Sequence, residues 1–297
     1  MKVVYSNGYD LHLGDHVFPS VKYRLTRERL IERSIVAPSA FVEPAPVPDE
    51  DVLRVHVKQY VDQLKGGTLS WTDLRRLEVP WSREFVDAVW LGAGGTVEAC
   101  RRSLDDGLCV TLCGGFHHAF PDHGEGFCAL NDVAIAIRAL QSRRLIERAM
   151  VVDCDVHQGN GTAAIFASDP SVFTLSIHQL NNYPLIKPPS NIDINLEDGT
   201  GDETYLAELS GGLSRALASF QPDLIVYLAG ADPYHDDQLG GLALTLAGLE
   251  RRDVMVFHEA RSRGIPVAVT LAGGYAYYVD DTVEIHVNTV KAACKEG

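Results

Sequence analysis

The sequence predicts an α/β fold, in which a single domain is built on a parallel β-sheet with helices on both faces. From about residue 85 onward, short runs rich in β-branched residues alternate with longer amphipathic segments, as strands and helices do in such sheets. The strand-like runs are apolar at nearly every position, which is typical of strands covered on both faces. The chain has 297 residues, 46% of them hydrophobic, and shows no internal repeat or second core. We therefore expect one domain over residues 1–297.

The predicted elements follow in chain order, and the first 80 residues are the least regular part. We expect a short strand at 3–5, a helix near 21–33 and another near 50–64. The stretch 37–51, APSAFVEPAPVPDED, has the composition of a linker, but it is short and is interpreted as a crossing over the surface. Beyond it, helices are predicted at 83–104, 130–141, 202–219, 244–263 and 279–295, and strands at 109–113, 149–153, 172–176, 223–229 and 265–272.

The net charge and the cysteine content indicate which kinds of binding partner and which cellular compartment to expect. With 26 basic and 40 acidic residues the net charge is −14, which argues against non-specific binding to nucleic acid or to an anionic membrane. The same charge favours cationic partners such as polyamines or basic peptides. The six cysteines form no CxxC pair, which is typical of reduced thiols in an intracellular protein. There is no apolar signal core and no segment long enough to span a bilayer, so we expect a cytoplasmic protein.

Polar side chains follow each of the five later strands. Because the carboxyl ends of parallel strands meet at one edge of a sheet, and ligands bind outside that edge, these side chains are expected to form one site. They are His117 and His118 after the first strand, Asp153, Asp155 and His157 after the second, Ser176 at the end of the third, Asp232 after the fourth, and Tyr275 after the fifth.

A nucleotide is one candidate ligand for this edge, because Gly159-x-Gly161-x-x-Ala164 has the form of a dinucleotide-binding fingerprint. However, two carboxylates stand directly before the glycines and would repel a pyrophosphate. The next strand ends in Ser-Ile-His, so it offers no acid to a ribose hydroxyl. The sequence therefore disfavours nucleotide binding.

A divalent metal is the better candidate. Asp155, His157 and Asp232 would offer two carboxylates and one imidazole, which leaves one position open for water, as in catalytic zinc sites. An Asp-x-His pair alone is also common in solvated turns. His117 and His118 are suited to proton transfer near neutral pH, with Asp153 and Asn160 as candidate partners. Tyr275 is either a core aromatic residue or a donor to a developing oxyanion, since Gly273 and Gly274 before it allow a ligand to approach the backbone closely.

Taken together, the motifs resemble the zinc-dependent histone deacetylase family, of the arginase–deacetylase fold. The resemblance runs from about residue 2 to residue 290, and the segments HVFPSVKYRL and FPDHGEGFCALND are most similar to class IV and bacterial members. The matching motifs, in the order in which they occur in the family, are GGFHHA, VVDCDVHQGNGT, TLSIH, AGADPY and AGGYAYY.

The resemblance implies a role for each matching residue. It implies that Zn²⁺, or Fe²⁺ in its place, is bound by Asp155, His157 and Asp232, and that His117 pairs with Asp153. His118 would face Asn160, where class I members carry Asp, and this difference should lower the basicity of His118. Further implied roles are a transition-state tyrosine at Tyr275, a wall of the acyl-lysine tunnel at Gly126 and Phe127, and substrate contacts at Gly273 and Gly274.

A structural K⁺ ion close to the zinc is also implied. Its matching groups are Asp153, the backbone carbonyls of Asp155 and His157, and Ser176 and Ile177. Lys22 matches a basic residue near an internal cavity. Glu78 stands near the position of the class I rim aspartate that binds the substrate backbone, and its role is left open.

The predicted function is metal-dependent hydrolysis of the amide of acetyl-lysine or a related acyl-amine. Two alternatives lie within the same class: an amidohydrolase of acetylpolyamines or other small amides, and a deacylase of long-chain acyl-lysine. An arginase-like ureohydrolase is disfavoured because a binuclear site needs more bridging carboxylates. A non-catalytic acyl-lysine reader would not need His117, His118 and Tyr275 beside an open metal site. The sequence makes no prediction of oligomeric state.

Overall fold

The computed structural model describes residues 1–11 and 13–296. Its centre is an eight-stranded sheet in which every pair of neighbouring strands is parallel, in the order β2-β1-β3-β8-β7-β4-β5-β6. The strands are β1 (Lys2–Val4), β2 (Phe41–Val42), β3 (Leu108–Thr111), β4 (Ala149–Asp153), β5 (Val172–Gln179), β6 (Ile192–Leu196), β7 (Leu224–Leu228) and β8 (Val267–Thr270).

Helices cover both faces of the sheet, as the apolar strands predict. Side chains alternate along β4, so Met150 and Val152 lie in one core while Val151 lies in another. The helices are α1 (Lys22–Glu32), α2 (Asp49–Val52), α3 (Lys58–Gly66), α4 (Trp71–Leu77), α5 (Arg83–Asp106), α6 (Asp132–Ser142), α7 (Asn160–Phe166), α8 (Asp202–Ser219), α9 (Leu246–Arg261) and α10 (Val279–Glu296). The α/β class with a parallel sheet is therefore confirmed.

Two local predictions need correction, and three elements were not predicted. The helix expected at 50–64 is two helices, α2 and α3, because the chain between them bonds to a loop: Val57 N donates to Pro121 O, and Asn131 N donates to His56 Nε2. The stretch 37–51 is more than a surface crossing, since it contains β2, whose Phe41 pairs with Val3 of β1. The edge strand β6 and the short helices α4 and α7 were not predicted.

The register of the sheet brings the polar strand ends together. Asp153 at the end of β4 pairs with Ser176 of β5 on one side and with Leu228 of β7 on the other. The chain segments that follow β4 and β7 therefore leave the sheet side by side. Within the described residues, the six cysteines are free and no helix has the length and apolar content to cross a membrane.

Candidate active site

Three side chains at the carboxyl ends of β4 and β7 form a compact, buried group. His157 Nδ1 lies 3.1 Å from Asp155 Oδ1 and 3.4 Å from Asp232 Oδ2. One ligand atom from each of the three residues lies within 4.8 Å of the others. The structure therefore brings together the two carboxylates and the imidazole that the sequence assigned to a metal.

The hydrogen bonds around this group leave one carboxylate oxygen, Asp232 Oδ2, without a donor. Val156 N donates to Asp232 Oδ1 (2.9 Å) and Gly273 N donates to Asp155 Oδ2 (2.9 Å), which orients both carboxylates. Asp232 Oδ2 is buried and has no hydrogen-bond partner. An unpaired carboxylate oxygen in the interior is costly unless a cation binds it. Two carboxylates and one imidazole match the ligands of catalytic zinc sites, so the residues fit a divalent metal.

The charges in this group are strongly coupled. Burial, and then the carboxylate of Asp155, raise the pKa of Asp232. Burial opposes protonation of His157, but the adjacent carboxylates of Asp155 and Asp232 raise the pKa of this imidazole to about 10. A proton on His157 and a divalent cation thus compete for the same groups, because an imidazole must be neutral to bind metal.

Gly273 is required here by the close approach of its backbone to the acidic side chains. A Cβ atom on Gly273 would overlap the carboxylates of Asp232 and Asp155. The glycine after β4 has a similar role, since a Cβ on Gly159 would lie 2.5 Å from Asp153 Oδ2. These glycines allow tight packing around the charged groups, and we see no phosphate-binding role for them.

His117 and His118 lie beside the acidic group and have different partners. His117 Nδ1 is 2.7 Å from Asp153 Oδ2, and His118 Nδ1 is 2.6 Å from Asn160 Oδ1. The two Nε2 atoms are 3.1 Å apart. Both rings are buried, as are Asp153 and Asn160, so the pairings expected from the sequence are present in the structure.

The two histidines differ in charge. Burial lowers the pKa of His117, but the carboxylates of Asp153 and Asp155 overcome this effect and raise it to about 9. Burial, followed by the charges of His117 and His157, lowers the pKa of His118 well below its usual value. At neutral pH the pair therefore consists of an imidazolium at His117 and a neutral imidazole at His118.

A pocket of about 180 Å³ leads from the surface to His118 and His157. Phe127 and Tyr183 are its aromatic walls, and Tyr183 meets the His118 ring edge-on at 4.9 Å. Gly126 has a φ of +51° and packs against His118, where a Cβ would lie 2.8 Å from the ring. The lining residues are Glu78, His118, Gly126, Phe127, His157, Asn182, Tyr183, Leu239 and Tyr275.

Several of the described residues around this pocket have left-handed backbone conformations although they are not glycine. They include Glu78 (φ +58°), Phe127 (φ +67°) and Ala272 (φ +50°). Such conformations are rare for residues with a Cβ and occur frequently at functional sites. Glu78 ends α4 in this conformation, and burial followed by the charge of Glu125 raises the pKa of its side chain.

Tyr275 lines the pocket and is not a plain core residue. Its ring contacts Phe127 and His157 edge-on, with centroids 5.9 and 6.5 Å away. Burial, and then Asp155 and Asp232, raise the pKa of its phenol well above 10, so the hydroxyl remains a hydrogen-bond donor. Its backbone N–H donates to Asp237 Oδ2 (2.6 Å).

Gly273 and Gly274 lie deeper than the tunnel walls. Gly273 lines the inner end of the site together with Tyr275. The carbonyl of Gly274 accepts from Lys22 Nζ at 3.5 Å, and that of Ala272 accepts from the same ammonium at 2.9 Å. Lys22 is fully buried, and burial lowers its pKa to about 8.

Asp153 and Ser176, two of the residues assigned to a monovalent cation, are neighbours in the sheet. Asp153 pairs with Ser176 across β4 and β5, and Asp153 Oδ1 accepts from Asp155 N (3.1 Å). Ser176 Oγ is 2.9 Å from His178 Nδ1. Ile177, the next residue of β5, is buried with no exposed surface.

Several residues of the site were not predicted from the sequence, among them Tyr183, Glu125 and Asp237. Glu125 Oε1 accepts hydrogen bonds from Asn160 Nδ2 (2.7 Å) and Tyr183 OH (2.8 Å). Asp237 accepts from three backbone N–H groups, those of Leu239, Gly240 and Tyr275. The sequence DQLG, with Asp three residues before Gly, is a turn signal that could have identified Asp237. No local pattern marks Glu125.

The chain matches known proteins along most of its length. Residues 16–290 match the Histone deacetylase domain family. An uncharacterized protein of Picosynechococcus is 42% identical over 280 residues, covering 94% of this chain and 93% of that protein. Histone deacetylase 2 of Arabidopsis thaliana is 32% identical over 301 residues, covering 96% of this chain and 78% of the relative.

Solved structures support the same fold. An HDAC homolog from Aquifex aeolicus superposes with a TM-score of 0.86 at 20% identity, over 99% of this chain and 84% of that one. The HD domain of HDA15 gives a TM-score of 0.84 at 22% identity, over 99% of this chain and 88% of that one. The fold is therefore the arginase–deacetylase fold expected from the motifs.

Proposed function

The chain belongs to the histone deacetylase family, and on that premise we propose that it hydrolyses the amide bond of acetyl-lysine or a related acyl-amine. One observation carries this proposal. Asp155 and His157 line the inner end of the site together with His118 and Tyr275, and Asp232 lies behind them, 3.4 Å from His157 Nδ1. Metal ligands, a neutral imidazole and a phenol donor around one small space are the groups that amide hydrolysis needs.

The metal would be held by Asp155, His157 and Asp232. When bound there, a Zn²⁺ ion, or Fe²⁺ in its place, acts as a Lewis acid toward a carbonyl oxygen and lowers the pKa of water. Gly273 N and Val156 N keep the two carboxylates oriented through their hydrogen bonds. Such bonds behind metal ligands fix their geometry.

His118 serves as the general base and then the general acid. Its ring is neutral, and it lines both the pocket and the inner end of the site. It accepts a proton from the attacking water and delivers it to the leaving amine. His117, which Asp153 keeps charged, supplies positive charge next to the negative charge that develops in the transition state.

Tyr275 and the tunnel complete the mechanism. The phenol of Tyr275 donates a hydrogen bond to the oxygen of the tetrahedral centre, where negative charge develops. Phe127 and Tyr183 flank the narrow part of the pocket, which suits the unbranched methylene chain of an acylated lysine or polyamine. Gly126 keeps the wall close to His118.

A substrate panel tests this proposal. Purified protein should hydrolyse at least one of three substrate types: acetyl-lysine peptides, long-chain acyl-lysine peptides and acetylpolyamines. His118→Ala should abolish the activity. The matched control is His235→Ala, since His235 is half exposed and contacts Asp236 outside the pocket. Metal-loaded protein that is inactive on all three types would contradict the proposal.

An acylated polyamine is the second candidate substrate, and two observations favour it. The net charge of −14 attracts cations, and Glu78 places a carboxylate at the tunnel lining. Cationic substrates should then lose kcat/KM as salt is added, because screening weakens the attraction, whereas neutral acyl-amines should not. An equal response of both substrate types to salt would contradict a role for the charge.

We also propose that K⁺ binds between β4 and β5, at Asp153, the carbonyls of Asp155 and His157, and Ser176 and Ile177. The pairing of Asp153 with Ser176 supports this. Replacing K⁺ by the larger tetramethylammonium ion in the buffer should lower the melting temperature. A melting temperature that does not depend on K⁺, together with no oxygen-ringed density at that position in a crystal structure, would contradict the site.

A further inference from the structure

The Glu125 carboxylate completes a chain of hydrogen bonds that ends at His118. Asn160 bridges the two residues: its Nδ2 donates to Glu125 Oε1 (2.7 Å), and its Oδ1 lies 2.6 Å from His118 Nδ1. Tyr183 OH donates to the same Glu125 oxygen at 2.8 Å. Glu125 is the residue before Gly126, so it belongs to the loop that forms the tunnel wall.

An ionised carboxylate can only accept hydrogen bonds, whereas an amide side chain can either donate or accept. Burial opposes ionisation of Glu125, but hydrogen bonds from His123, Tyr183 and Asn160 lower its pKa below the usual value. The end of Asn160 that faces Glu125 must therefore be the NH₂ group. The opposite orientation would place the Asn160 oxygen against the carboxylate oxygen.

The orientation of this amide acts together with the charged His117 ring, 3.1 Å from His118 Nε2, in setting which nitrogen of His118 carries the proton. With Nδ2 turned toward Glu125, Asn160 presents its oxygen to His118 Nδ1, so Nδ1 must be the N–H donor. The neutral ring then has its lone pair on Nε2, the atom that lies 3.1 Å from His117 Nε2. A flipped amide would favour the other tautomer, which has no lone pair on Nε2.

We propose that Glu125 is a positioning residue, which fixes the Asn160 amide and through it the tautomer of His118. This inference rests on the proposed function, because it concerns His118 as the base. It also gives a physical reason for a carboxylate beside Asn160. An aspartate at position 160 would have two equivalent acceptor oxygens and would need no partner to orient it, whereas an asparagine has one correct orientation.

A series of variants at position 125 tests the proposal in two backgrounds. The glutamate side chain can only accept hydrogen bonds, the glutamine of Glu125→Gln can accept or donate them, and the lysine of Glu125→Lys can only donate them. Along this series, the Asn160 amide should turn increasingly to the orientation in which its oxygen faces residue 125. We expect kcat to fall in that order, by about tenfold or more for Lys, the worth of one charge-assisted hydrogen bond, with little change in KM. In the Asn160→Asp background the Lys variant should regain the lost rate, because Asp accepts from His118 in either orientation.

The matched control is Asp122→Asn. Asp122 is an exposed carboxylate of the same loop and contacts His123, as Glu125 does, but it does not touch Asn160. Its removal should leave kcat and KM unchanged. All variants should have similar melting temperatures. The proposal would be overturned if Glu125→Lys lowered kcat by the same factor in the wild-type protein and in the Asn160→Asp background. Such a result would indicate a defect in the loop or a general effect of the added charge.

A second measurement does not depend on turnover. ¹⁵N-histidine spectra, with the His118 signals assigned by comparison with His118→Ala, report the tautomer directly. We expect the proton of His118 on Nδ1 in the wild type and on Nε2 in Glu125→Lys. The same tautomer in both proteins would overturn the role of Glu125. Inactivity of the wild type on every acyl-amine, with the expected tautomers present, would instead count against the proposed function alone.

Discussion

Two groups of buried charged side chains lie close together in this protein, and they are built differently. In the first, which we call the acidic cluster, the carboxylates of Asp153, Asp155 and Asp232 outnumber the imidazoles of His117 and His157. In the second, which we call the arginine cluster, Arg252 and Asp253 pair one to one, with Tyr227 OH and Thr289 Oγ1 donating to Asp253 at 2.5 and 2.6 Å.

The difference in charge balance between the two clusters distinguishes buried charges that stabilise the fold from buried charges that are available to a ligand. The two clusters are adjacent, since Arg252 donates to the carbonyl of Gly230 (2.6 Å), two residues before Asp232. The arginine cluster pairs one guanidinium with one carboxylate, so its charges cancel. The acidic cluster has excess carboxylate and an unpaired oxygen on Asp232, a charge that a proton or a bound cation would balance. An excess of buried acid, more than burial itself, marks the functional cluster.

The largest expected effect is the loss of activity in Asp232→Ala. Removing one of three ligands should abolish metal binding and lower kcat/KM by about 10³-fold or more, the equivalent of several kcal/mol of transition-state stabilisation. In the metal-free state the free energy of unfolding should change little, because relief of the excess buried carboxylate offsets the lost hydrogen bond from Val156 N. Elemental analysis, kinetics and urea unfolding check this. Asp236→Ala, an exposed acid of the same loop, is the control.

The opposite outcome is expected for the arginine cluster. Arg252→Met leaves the Asp253 carboxylate buried without its partner, so the free energy of unfolding should fall by about 3–5 kcal/mol. Arg251→Met is the matched control: Arg251 pairs with Glu203 at the exposed surface, where such a pair is worth about 0–1 kcal/mol. If Arg252→Met lowered the free energy of unfolding as little as Arg251→Met does, the difference between the two clusters would be contradicted.

Tyr275→Phe should lower the rate without affecting the metal. Losing one donor to the developing oxyanion typically lowers kcat by about 10²–10³, or roughly 3–4 kcal/mol. Zinc content and KM should stay nearly unchanged, because the hydroxyl acts mainly in the transition state. Tyr278→Phe, at an exposed tyrosine of the same segment, should keep the wild-type kcat. If Tyr275→Phe also kept it, Tyr275 would have no part in the mechanism.

A smaller effect is expected from a buried histidine outside both clusters. Burial lowers the pKa of His56 from 6.5 to about 4 in the folded protein. As the pH falls, His56 is protonated in the unfolded chain near pH 6.5 but in the folded protein only near pH 4. The contribution of the neutral His56 side chain to the free energy of unfolding is therefore complete above pH 6.5 and is lost progressively down to about pH 4. The glutamine oxygen of His56→Gln can still accept a hydrogen bond from Asn131 N but does not titrate. Between pH 6.5 and pH 4, the free energy of unfolding of this variant should therefore change less than that of the wild type. Identical pH profiles would contradict this.

Sequence alone predicts the acidic cluster well, because its members follow strand ends and strand ends converge. Asp155, His157 and Asp232 could therefore be assigned before their distances were known. Glu125 could not, since its role comes from a loop that folds back onto Asn160, and no local pattern encodes that contact. The arginine cluster was also missed, because an Arg-Asp pair within a helix is typical of an exposed face and only packing shows that Arg252 is buried.

The elements of the fold likewise divide into those encoded locally in the sequence and those that depend on distant contacts. Apolar strands and long helices are encoded locally, whereas the break between α2 and α3 depends on bonds from Val57 and His56 to a distant loop. The edge strand β6 carried a readable signal, since IDINL alternates apolar and polar residues, but its short length made it easy to miss. Contacts between segments far apart in the sequence account for most of what could not be predicted.

The most direct test of the central claim is a zinc titration of metal-free protein that follows bound metal and hydrolysis of acyl-lysine or acylpolyamine in the same samples. The excess of buried carboxylate predicts about one tightly bound Zn²⁺ per chain, with activity rising in proportion to the bound metal. Protein that binds no Zn²⁺ at the acidic cluster, or that hydrolyses these substrates equally well without metal, would contradict the account.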